Sequence, residues 1–350
     1  MSCAGAHSGG GPDMSGHDWF DRLVGFSEDD GYAATQRRLA VEGDELVSRV
    51  NGERYGIGEL TLPTLAELRS RVNPARGQRS SAQILVGDVR RLHSQPEFEG
   101  ALFQVASQFN LLEMTSQHVT PERGVSRYAG DPTQGPACAM AAGAGTIYRN
   151  YLVPVEGGIG QTASRQLNAL AGLGAALSEL TGLPDVRLWR MRNGYALCTR
   201  EGLTAITDLL AAAPEDVLDG LRETLAIGLH RDVEVTDGSR RRVSQAYCSA
   251  LPVSYSALPA GDWESFGRLV LEASYEATLL AAVEQARGGG SNTVLLTRLG
   301  GSAFGNGDHW IDTAIERAMG IVGDAGLDIR IVAHGQAHPE VRAIVDRYRT

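Results

Sequence analysis

Two glycine-bearing stretches of this chain combine residue types that can hold a phosphate group. Residues 299–307 read LGGSAFGNG, and residues 131–136 read DPTQGP. Glycine lets a backbone approach an anion closely, and the N–H groups at the start of a helix point their positive ends at it. Each stretch stands before a predicted helix. The pattern therefore predicts two phosphate-binding loops, although neither matches the GxxxxGK[ST] or the GxGxxG motif.

The elements around these loops should bring them to one place. Two runs predict buried strands, one upstream of each loop: the apolar run at residues 101–106, and the β-branched and leucine run that starts at Thr293 and ends in LGGSAFGNG. The small-residue run at 137–146, with Pro136 in its first turn, predicts a helix after the first loop, and another helix should begin near Asp308. Because the carboxyl ends of parallel strands share one edge of a sheet, both loops should face one crevice that suits a diphosphate.

Read in order, these motifs resemble those of macrodomains. Residues 87–89, GDV, follow an apolar run and are similar to the GD[IV] sequence after an early macrodomain strand. Residues 299–307 resemble the second phosphate loop of that family, and residues 327–335 resemble its last strand. The block at residues 103–151 is similar to the MavL-type branch, which is implicated in removing ADP-ribose from arginine side chains. The resemblance spans roughly residues 83–335.

The resemblance also implies which residues contact ADP-ribose. Asp88 would bind the adenine, although an aspartate after a strand can instead cap a turn or a helix. Gln108 and Asn110 would hydrogen-bond the distal ribose, and Phe304 would lie over that ribose unless it simply packs. The implied ligand-binding residues are Asp88, Val89, Gln108, Asn110, Thr133, Gln134, Gly135, Gly300, Gly301, Ser302, Ala303, Phe304, Gly305 and Asn306.

Three acids qualify by position for the catalysis that the resemblance implies. Cleavage of the bond between ribose C1″ and a guanidinium passes through an oxocarbenium-like transition state. Carboxylates can stabilise that charge, activate water or hold the guanidinium. The candidates are Asp131 before the first predicted helix, Glu113 in the polar loop and Asp308 after the second phosphate loop. Asp308 could instead be a helix N-cap, Glu113 a local cap or ion-pair partner, and Asp131 a turn residue.

These residues lead to one favoured function and two rivals. The resemblance implies a hydrolase that removes mono-ADP-ribose from arginine side chains of proteins by cleaving the N-glycosidic bond, with no metal ion and no cofactor. The rival from another class is a binding module that recognises ADP-ribose, or a related nucleotide, without turnover. A third possibility is a glycohydrolase that acts on a free nucleotide or a nucleic-acid end. The expected partner is ADP-ribose or an ADP-ribosylated protein.

The composition narrows the partners and the compartment. The 350 residues carry a net charge of −10, which disfavours nucleic-acid binding because that needs a basic face. Cys3, Cys138, Cys198 and Cys248 show no CxxC spacing, so we expect neither a zinc site nor a disulfide framework. The N-terminus lacks a signal-peptide pattern, and no apolar run is long enough to span a bilayer. We therefore expect a cytoplasmic protein without membrane attachment.

The expected fold class is α/β, a macrodomain-like three-layer sandwich with a mixed, mostly parallel central sheet. Residues 1–17 should be a disordered tail, and residues 18–76 an N-terminal extension packed on the main domain. Residues 77–350 should form the ADP-ribose-binding domain, with a helical insertion at about 153–232. This insertion, and the lack of the usual NAAN…GGG arrangement, distinguish the chain from ordinary macrodomains. The inserted helices are expected to pack rather than to take part in chemistry.

Local patterns predict several other elements. Asn51-Gly52 between two apolar runs predicts a hairpin turn. Thr64 and Glu67 have the spacing of a capping box, which predicts a short helix after Thr64. Three longer patterns predict a helix at residues 163–180, a hairpin with a central strand at 233–256 and a long helix at 263–287.

Overall fold

The computed structural model describes residues 18–72 and 77–348, so the tail predicted at residues 1–17 lies outside the described residues. Within this part, short strands alternate with helices. The strands are β1 Leu39–Glu42, β2 Glu45–Ser48, β3 Arg54–Gly56, β4 Glu59–Thr61, β5 Ser81–Val86, β6 Leu102–Ala106, β7 Pro154–Val155, β8 Gly158–Ile159, β9 Trp189–Arg192, β10 Tyr195–Cys198, β11 Gly228–Glu234, β12 Arg242–Cys248, β13 Thr293–Leu296 and β14 Asp328–Ala333.

Seven of these strands form the central sheet, in the order β4-β11-β12-β6-β13-β14-β5. β11 is antiparallel to both of its neighbours, β4 and β12, whereas every pair from β12 to β5 is parallel. The expected mixed, mostly parallel central sheet is therefore confirmed. β6 lies at the centre with its first four residues buried, because a parallel strand covered on both faces reads as a continuous apolar run.

Helices cover both faces of this sheet. Successive side chains of β6 show the two layers, since neighbouring residues of a strand point to opposite faces. The ring of Phe103 stacks on His93 in helix α4 (Val89–His93), with ring centroids 3.7 Å apart, while Gln104 Nε2 donates to Thr278 Oγ1 in helix α11 (Glu264–Arg287) at 3.0 Å. The helices are α1 Asp18–Val24, α2 Tyr32–Arg37, α3 Leu65–Arg71, α4 Val89–His93, α5 Gln134–Ala141, α6 Gly143–Tyr151, α7 Ala171–Thr181, α8 Asp185–Leu188, α9 Arg200–Ala212, α10 Glu215–Glu223, α11 Glu264–Arg287, α12 Asp308–Ile321 and α13 Pro339–Arg347.

The long helix predicted at residues 263–287 is α11, and most of its residues are buried against neighbouring elements. It ends at Gly288, as the glycine run predicts. The predicted hairpin with a central strand is β11–β12. Across residues 18–72 and 77–348, no helix combines the length and the apolar character needed to cross a membrane.

Two predicted helices have different bounds in the structure. The small-residue run at 137–146 is divided between α5 and α6, with Ala142 outside helical geometry at φ −110° and ψ 58°. The break lets Gly143 pack closely on α1, where a Cβ would lie 2.7 Å from Leu23 Cδ1. The helix predicted at 163–180 begins only at Ala171, because the preceding segment forms a bridge between Thr162 and Arg165 instead.

The N-terminal extension is part of the central fold. β1, β2 and β3 form a separate small sheet, and Asn51-Gly52 lies between β2 and β3 as predicted. β4, however, pairs with β11 and is an edge strand of the central sheet. α3 packs against α11. The extension thus contributes both a strand and a helix to the domain on which it was expected to pack.

Ion pairs attach the insertion to the same helical layer. Arg69 of α3 bonds to Asp219 of α10 at 2.7 Å and to Glu276 of α11 at 2.6 Å. The Glu276 side chain is only 2% exposed, and Arg317 of α12 is its second cationic partner. A buried carboxylate needs such partners because burial removes its hydration. This network connects the extension, the insertion and the core.

The capping box of α3 gives a test of how this helix is started. Thr64 Oγ1 accepts from the Glu67 N–H at 3.2 Å, and Glu67 Oε2 accepts from the Thr64 N–H at 2.8 Å. Replacing the N-cap threonine should cost about 1 kcal/mol, because the first helical N–H groups lose an acceptor. We expect Thr64→Ala to lower the free energy of unfolding by that amount in urea titrations. The control Thr204→Ala, at an exposed position inside α9, should leave the free energy unchanged or raise it slightly.

Candidate active site

A cleft opens at the carboxyl edge of the central sheet, where β6, β12 and β13 end. The polar loop after β6, the start of α5 and the glycine loop after β13 form its walls. Both glycine-bearing loops therefore face the same space. The predicted site residues that line the cleft are Gln108, Glu113, Asp131, Thr133, Gln134, Gly135, Gly300, Gly301, Ser302, Ala303 and Phe304.

The cleft exists because β6 and β13 separate. They pair only at Val294↔Leu102 and Leu295↔Phe103, while β12 follows β6 as far as Ala106. Ala101 O accepts from the Ser244 N–H, and the Ser107 N–H donates to Cys248 O, so the odd-numbered residues of this stretch bond to the β12 side. The backbone groups of residues 104 and 106 therefore point toward the gap. Gln134 fills this gap. Its Oε1 accepts from the Ala106 N–H and its Nε2 donates to Gln104 O, both at 2.9 Å. The side chain of this predicted ligand thus completes the sheet.

The start of α5 is held directly against the end of β6. A Cβ on Gly135 would lie 1.9 Å from Ala106 O, so only glycine allows this approach. Thr133 is the N-cap, and its side chain makes no capping hydrogen bond. Its hydroxyl donates instead to Asp131 Oδ1 at 2.6 Å, and its N–H donates to the same oxygen at 2.9 Å. The first residues of α5 therefore line the cleft, together with Asp131, whose two local hydrogen bonds share one carboxylate oxygen.

The glycine loop after β13 is fastened to the segment that follows β12. The Asn306 side chain donates to Leu251 O at 2.8 Å and to Gly300 O at 3.2 Å. The Ser254 N–H donates to Phe304 O at 3.0 Å. Gly300 has φ +70°, and a Cβ there would lie 2.3 Å from the Ala250 side chain. The loop is therefore preformed, and Asn306 acts on it from behind the cleft surface.

Glu113 is the most unusual group in the cleft. Its side chain is 2% exposed, and neither carboxyl oxygen has a hydrogen-bond partner within the described part of the chain. Burial raises the pKa of Glu113 from its ordinary 4.5 to about 8, and the charge of Arg149 offsets only part of this rise. Its backbone N–H donates to the Tyr128 hydroxyl at 3.0 Å. A buried, unsatisfied carboxyl of raised pKa in a cleft is typical of a proton-transfer group.

Arg149 lies 3.9 Å from Glu113 and is fully buried. Its Nε donates to Leu111 O at 3.0 Å and its Nη2 to Thr146 Oγ1 at 3.0 Å. Its guanidinium also lies over the ring of Tyr247, 3.8 Å from the ring centroid. Arg149 therefore supports the polar loop from below, and its donors are largely committed to that loop and to its own helix.

The side chains of Gln108 and Asn110 hydrogen-bond to backbone groups of the polar loop. Gln108 Oε1 accepts from the Met114 N–H at 2.8 Å, and Asn110 Oδ1 accepts from the Leu112 N–H at 3.1 Å. Asn110 Nδ2 donates to Gln166 in the insertion at 3.0 Å. Gln108 still lines the cleft, whereas Asn110 is fully buried away from it.

The insertion contributes an aromatic residue to the cleft. Tyr195 of β10 lines the cleft, and its hydroxyl donates to Met114 O at 2.9 Å. Its ring lies 5.4 Å from that of Phe304 and 5.0 Å from that of Tyr255, centroid to centroid. Phe304, predicted to lie over a ribose, is thus one of three aromatic residues that form a wall of the cleft.

Six predicted site residues lie outside the cleft lining. Asp308 is the first residue of α12, whose N-cap is Gly307, and it bonds to Arg298 at 2.5 Å. Asp88 is the N-cap of α4 and accepts from the Arg90 N–H at 2.9 Å, which was the alternative to adenine binding. Adenine contact by Asp88 and catalysis by Asp308 remain predictions. The other residues outside the lining are Val89, Asn110, Gly305 and Asn306.

Sequence reasoning missed several residues of the cleft. Tyr195 and Tyr255 come from segments with no recognised motif, and only their distance in space from the loops makes them part of the site. Arg298 directly precedes the glycine loop, and a cation beside a phosphate loop was a signal that could have been used. It lines the cleft and pairs with Asp308 and Asp312.

The described residues give no sign of a metal centre. Across residues 18–72 and 77–348, no three His, Cys, Asp or Glu side chains are grouped so that they could hold a metal ion. Cys138, Cys198 and Cys248 are free thiols. Burial raises the pKa of Cys138 well above its ordinary value, which argues against a nucleophilic thiolate at the start of α5.

Comparison with known proteins gives only distant structural neighbours. No protein-family model and no curated protein matches the chain. Eleven solved chains match it. One is poly(ADP-ribose) glycohydrolase from Deinococcus radiodurans in complex with ADP-ribose, at 12% identity and TM-score 0.40, covering 83% of this chain and 93% of that one. Another is the Thermomonospora curvata enzyme, at 13% identity and TM-score 0.41, covering 91% of this chain and 97% of that one. Scores this low describe a distant likeness in overall shape.

The burial of Glu113 predicts a pH dependence of stability. Because the folded pKa of this acid is raised, the native state retains its proton longer than the unfolded state does. Stability should therefore fall as pH rises from 4.5 to about 8 and then level off. In Glu113→Gln this contribution is absent. In urea titrations at pH 5 and pH 8, the variant should gain several kcal/mol relative to wild type at the higher pH, since one pKa unit is about 1.4 kcal/mol.

The matched control is Glu179→Gln, an exposed acid on α7. It should follow the wild-type pH dependence. An equal response of the two variants would mean that Glu113 is not held in its protonated form by the fold.

Proposed function

We propose that this protein is a macrodomain-type hydrolase, of the arginine-directed MavL-type branch, that removes mono-ADP-ribose from arginine side chains of proteins. The observation that carries the proposal is Glu113, a buried carboxyl with two unsatisfied oxygens in a cleft that also contains Asp131 and two phosphate-type loops. The identity of the ligand rests on the motif resemblance at residues 299–307 and 103–151. The polar and glycine residues of the cleft lining are compatible with such a ligand.

The two glycine-bearing loops would hold the diphosphate. The start of α5 offers helical N–H groups, and the loop at residues 299–307 offers backbone N–H groups at a close approach. Arg298 supplies a cation on the same lining. Its charge is shared with Asp308 and Asp312, so the backbone donors would contribute most to binding.

Cleavage requires few groups when the leaving group is an arginine guanidinium. As the C1″–N bond breaks, the electron pair stays on nitrogen and a neutral guanidine leaves, while positive charge develops at C1″. Asp131 would stabilise that charge and accept a proton from the attacking water. That proton finally restores the guanidinium, and the products are ADP-ribose and arginine. Glu113, protonated near neutral pH, would hydrogen-bond to the distal ribose or to the leaving nitrogen.

The pKa of Glu113 also favours a second candidate, hydrolysis of an O-glycosidic bond of ADP-ribose. An oxygen leaving group needs a proton from a general acid, and a carboxyl of pKa about 8 carries that proton at neutral pH. The two candidates differ in pH dependence. The rate on an O-linked substrate should fall as pH rises through about 8, because Glu113 loses its proton. The rate on an arginine-linked substrate, with Asp131 as base, should persist.

A binding module without turnover is the remaining alternative. Such a module needs the loops but gains nothing from a buried carboxyl whose oxygens have no partners, because that group costs stability at neutral pH. Residue chemistry therefore favours hydrolysis. We further propose that the protein works in the reducing cytoplasm, in keeping with its three described free thiols.

The test is release of ADP-ribose from arginine-linked and O-linked mono-ADP-ribosylated proteins, followed over time at several pH values. Release from the arginine substrate should fall 10²–10⁴-fold in Asp131→Asn, since that is the usual effect of losing a general base. Asparagine retains the Oδ1 acceptor for Thr133, so the start of α5 should stay intact. The control Asp324→Asn, at an exposed position outside the cleft, should be fully active.

Other outcomes would redirect the proposal. Release from the O-linked substrate alone, lost in Glu113→Gln, would establish the second candidate. ADP-ribose binding in calorimetry without release from either substrate would identify a binding module. Absence of both binding and release would mean that the motif resemblance does not extend to function.

A further inference from the structure

A carboxylate of the N-terminal extension is bonded to the segment that leads to Asp131. Glu28 Oε1 accepts from the Val125 N–H at 3.0 Å, and Glu28 Oε2 accepts from the Ser126 N–H at 2.7 Å. Glu28 Oε1 also accepts from the Tyr151 hydroxyl at 2.7 Å. Three donors from two other parts of the chain therefore hold one side chain. Hydrogen bonds of this kind, with a charged acceptor, are among the stronger ones in proteins.

The two backbone bonds cap a short 3-10 helix at Ser126–Gly130. The first N–H groups of a helix have no partner within it, and a negative charge at that end is favourable. Val125 occupies the N-cap position, and its apolar side chain cannot accept a hydrogen bond from these N–H groups. Glu28 takes this role from another part of the sequence. A bond from Trp19 Nε1 to Ser126 O, at 3.2 Å, adds a second attachment from α1.

The capped helix contacts both cleft acids. Its Tyr128 hydroxyl accepts from the Glu113 N–H at 3.0 Å. Asp131 follows the helix directly, and its N–H donates to Tyr128 O at 3.1 Å. The position of this helix therefore fixes the backbone of Glu113 and the residue that carries the Asp131 carboxylate. Glu28 itself does not line the cleft.

The chain leaves room for the Glu28 carboxylate at one glycine. Gly124 has φ +79°, and a Cβ there would lie 2.3 Å from Glu28 Oε2. A methyl group at this position would push the carboxylate away from the Val125 and Ser126 N–H groups. The close contact therefore requires both the carboxylate at position 28 and the glycine at position 124.

We infer that Glu28 is a positioning residue for catalysis, acting through residues 124–131 and never by contact with substrate. The catalytic part of this inference rests on the proposed function, whereas its structural part does not. Without Glu28, residues 125–131 lose their cap, and Asp131 loses its fixed place. The loop at residues 299–307 is held by other contacts, so binding of the diphosphate should persist. The expected signature is a loss in kcat with little change in KM.

The experiment compares wild type, Glu28→Ala, Glu28→Gln and the control Asp30→Ala. Asp30 lies in the same turn and pairs with Arg38, with a side chain that is 59% exposed. Hydrogen exchange measured by mass spectrometry reports on residues 113–131, and calorimetry reports on ADP-ribose affinity.

In Glu28→Ala, exchange of residues 113–131 should rise at least about tenfold and kcat should fall about 10- to 100-fold. KM and ADP-ribose affinity should stay within about threefold. Glu28→Gln should be intermediate, because its amide keeps one acceptor oxygen, and Asp30→Ala should match wild type.

Gly124→Ala tests the same contact from the other side. It should reproduce the exchange increase of Glu28→Ala, and the double variant should be no worse than the stronger single variant, since both changes remove one interaction. Unchanged exchange at 113–131 in both single variants would overturn the inference. A uniform rise in exchange over the whole chain, with KM and kcat affected alike, would also overturn it, because Glu28 would then support only global stability.

Hydrogen exchange at residues 113–131 tests this inference independently of the proposed function. If wild type binds ADP-ribose but releases none, the proposed function fails. A selective increase at 113–131 in Glu28→Ala would still establish that the extension positions the two acids.

Discussion

The separation of β6 from β13 is the constraint on which the cleft depends. Two parallel strands that part leave backbone donors and acceptors without partners, and buried groups of this kind are costly. Gln134 resolves this on the β6 side with two bonds that imitate a neighbouring strand. On the β13 side, the Thr297 N–H donates to Gln104 Oε1 at 3.3 Å. Because Gln134 is also the first residue of α5, closing the gap in the sheet simultaneously places a helix start at the cleft. Glycine is required at position 135 because the contact with Ala106 O leaves no space for a Cβ.

The same geometry explains why the chain carries an extension and an insertion. The polar loop after β6 is largely buried, and a buried loop needs partners for its backbone groups from outside itself. The insertion supplies some of them, since Gly194 O accepts from the Phe109 N–H at 3.0 Å and Asn193 Nδ2 donates to Gln117 O at 2.8 Å. The extension supplies others through Glu28. The two additions to the sheet therefore stabilise successive parts of one loop, the part with Glu113 and the part with Asp131.

The sequence was informative where a local pattern has one structural meaning. β6, β13, α11 and the α3 capping box follow from apolar runs, helical spacing and Thr64 with Glu67, and each was found as predicted. The glycine loops could be located because glycine at a strand end reports a close backbone approach. The roles of amide side chains could not be read in this way. Gln108, Asn110 and Gln134 have the chemistry of ligands, yet their partners are backbone groups far along the chain or in the same loop, and only the folded loop decides which partner each amide takes. Tyr195 belongs to a segment without a motif, so nothing local could connect it with the cleft.

Arg149 and His230, which lie beneath the polar loop, form part of the electrostatic surroundings of Glu113. Arg149 is close to Glu113, but its donors are committed to Leu111 O, Thr146 and His230. Burial and the charge of Arg149 lower the pKa of His230 to about 3, so this histidine stays neutral and accepts from the arginine while donating to Ile57 O in the extension. Arg149 therefore places one positive charge beside Glu113. This charge lowers the pKa of Glu113 by less than burial raises it.

The result is an acid of raised pKa that keeps its proton near neutral pH and lies beside the buried guanidinium of Arg149. A cationic leaving group needs no proton, whereas an oxygen leaving group needs one. Under the proposed function, Glu113 would donate its proton or hydrogen-bond it to the substrate. Asp131 is less deeply buried than Glu113, and under the proposed function its side chain would face the positive charge that develops at C1″. Under the proposed function, Glu113 would serve as the acid and Asp131 as the carboxylate, and the different surroundings of the two groups support this division of roles.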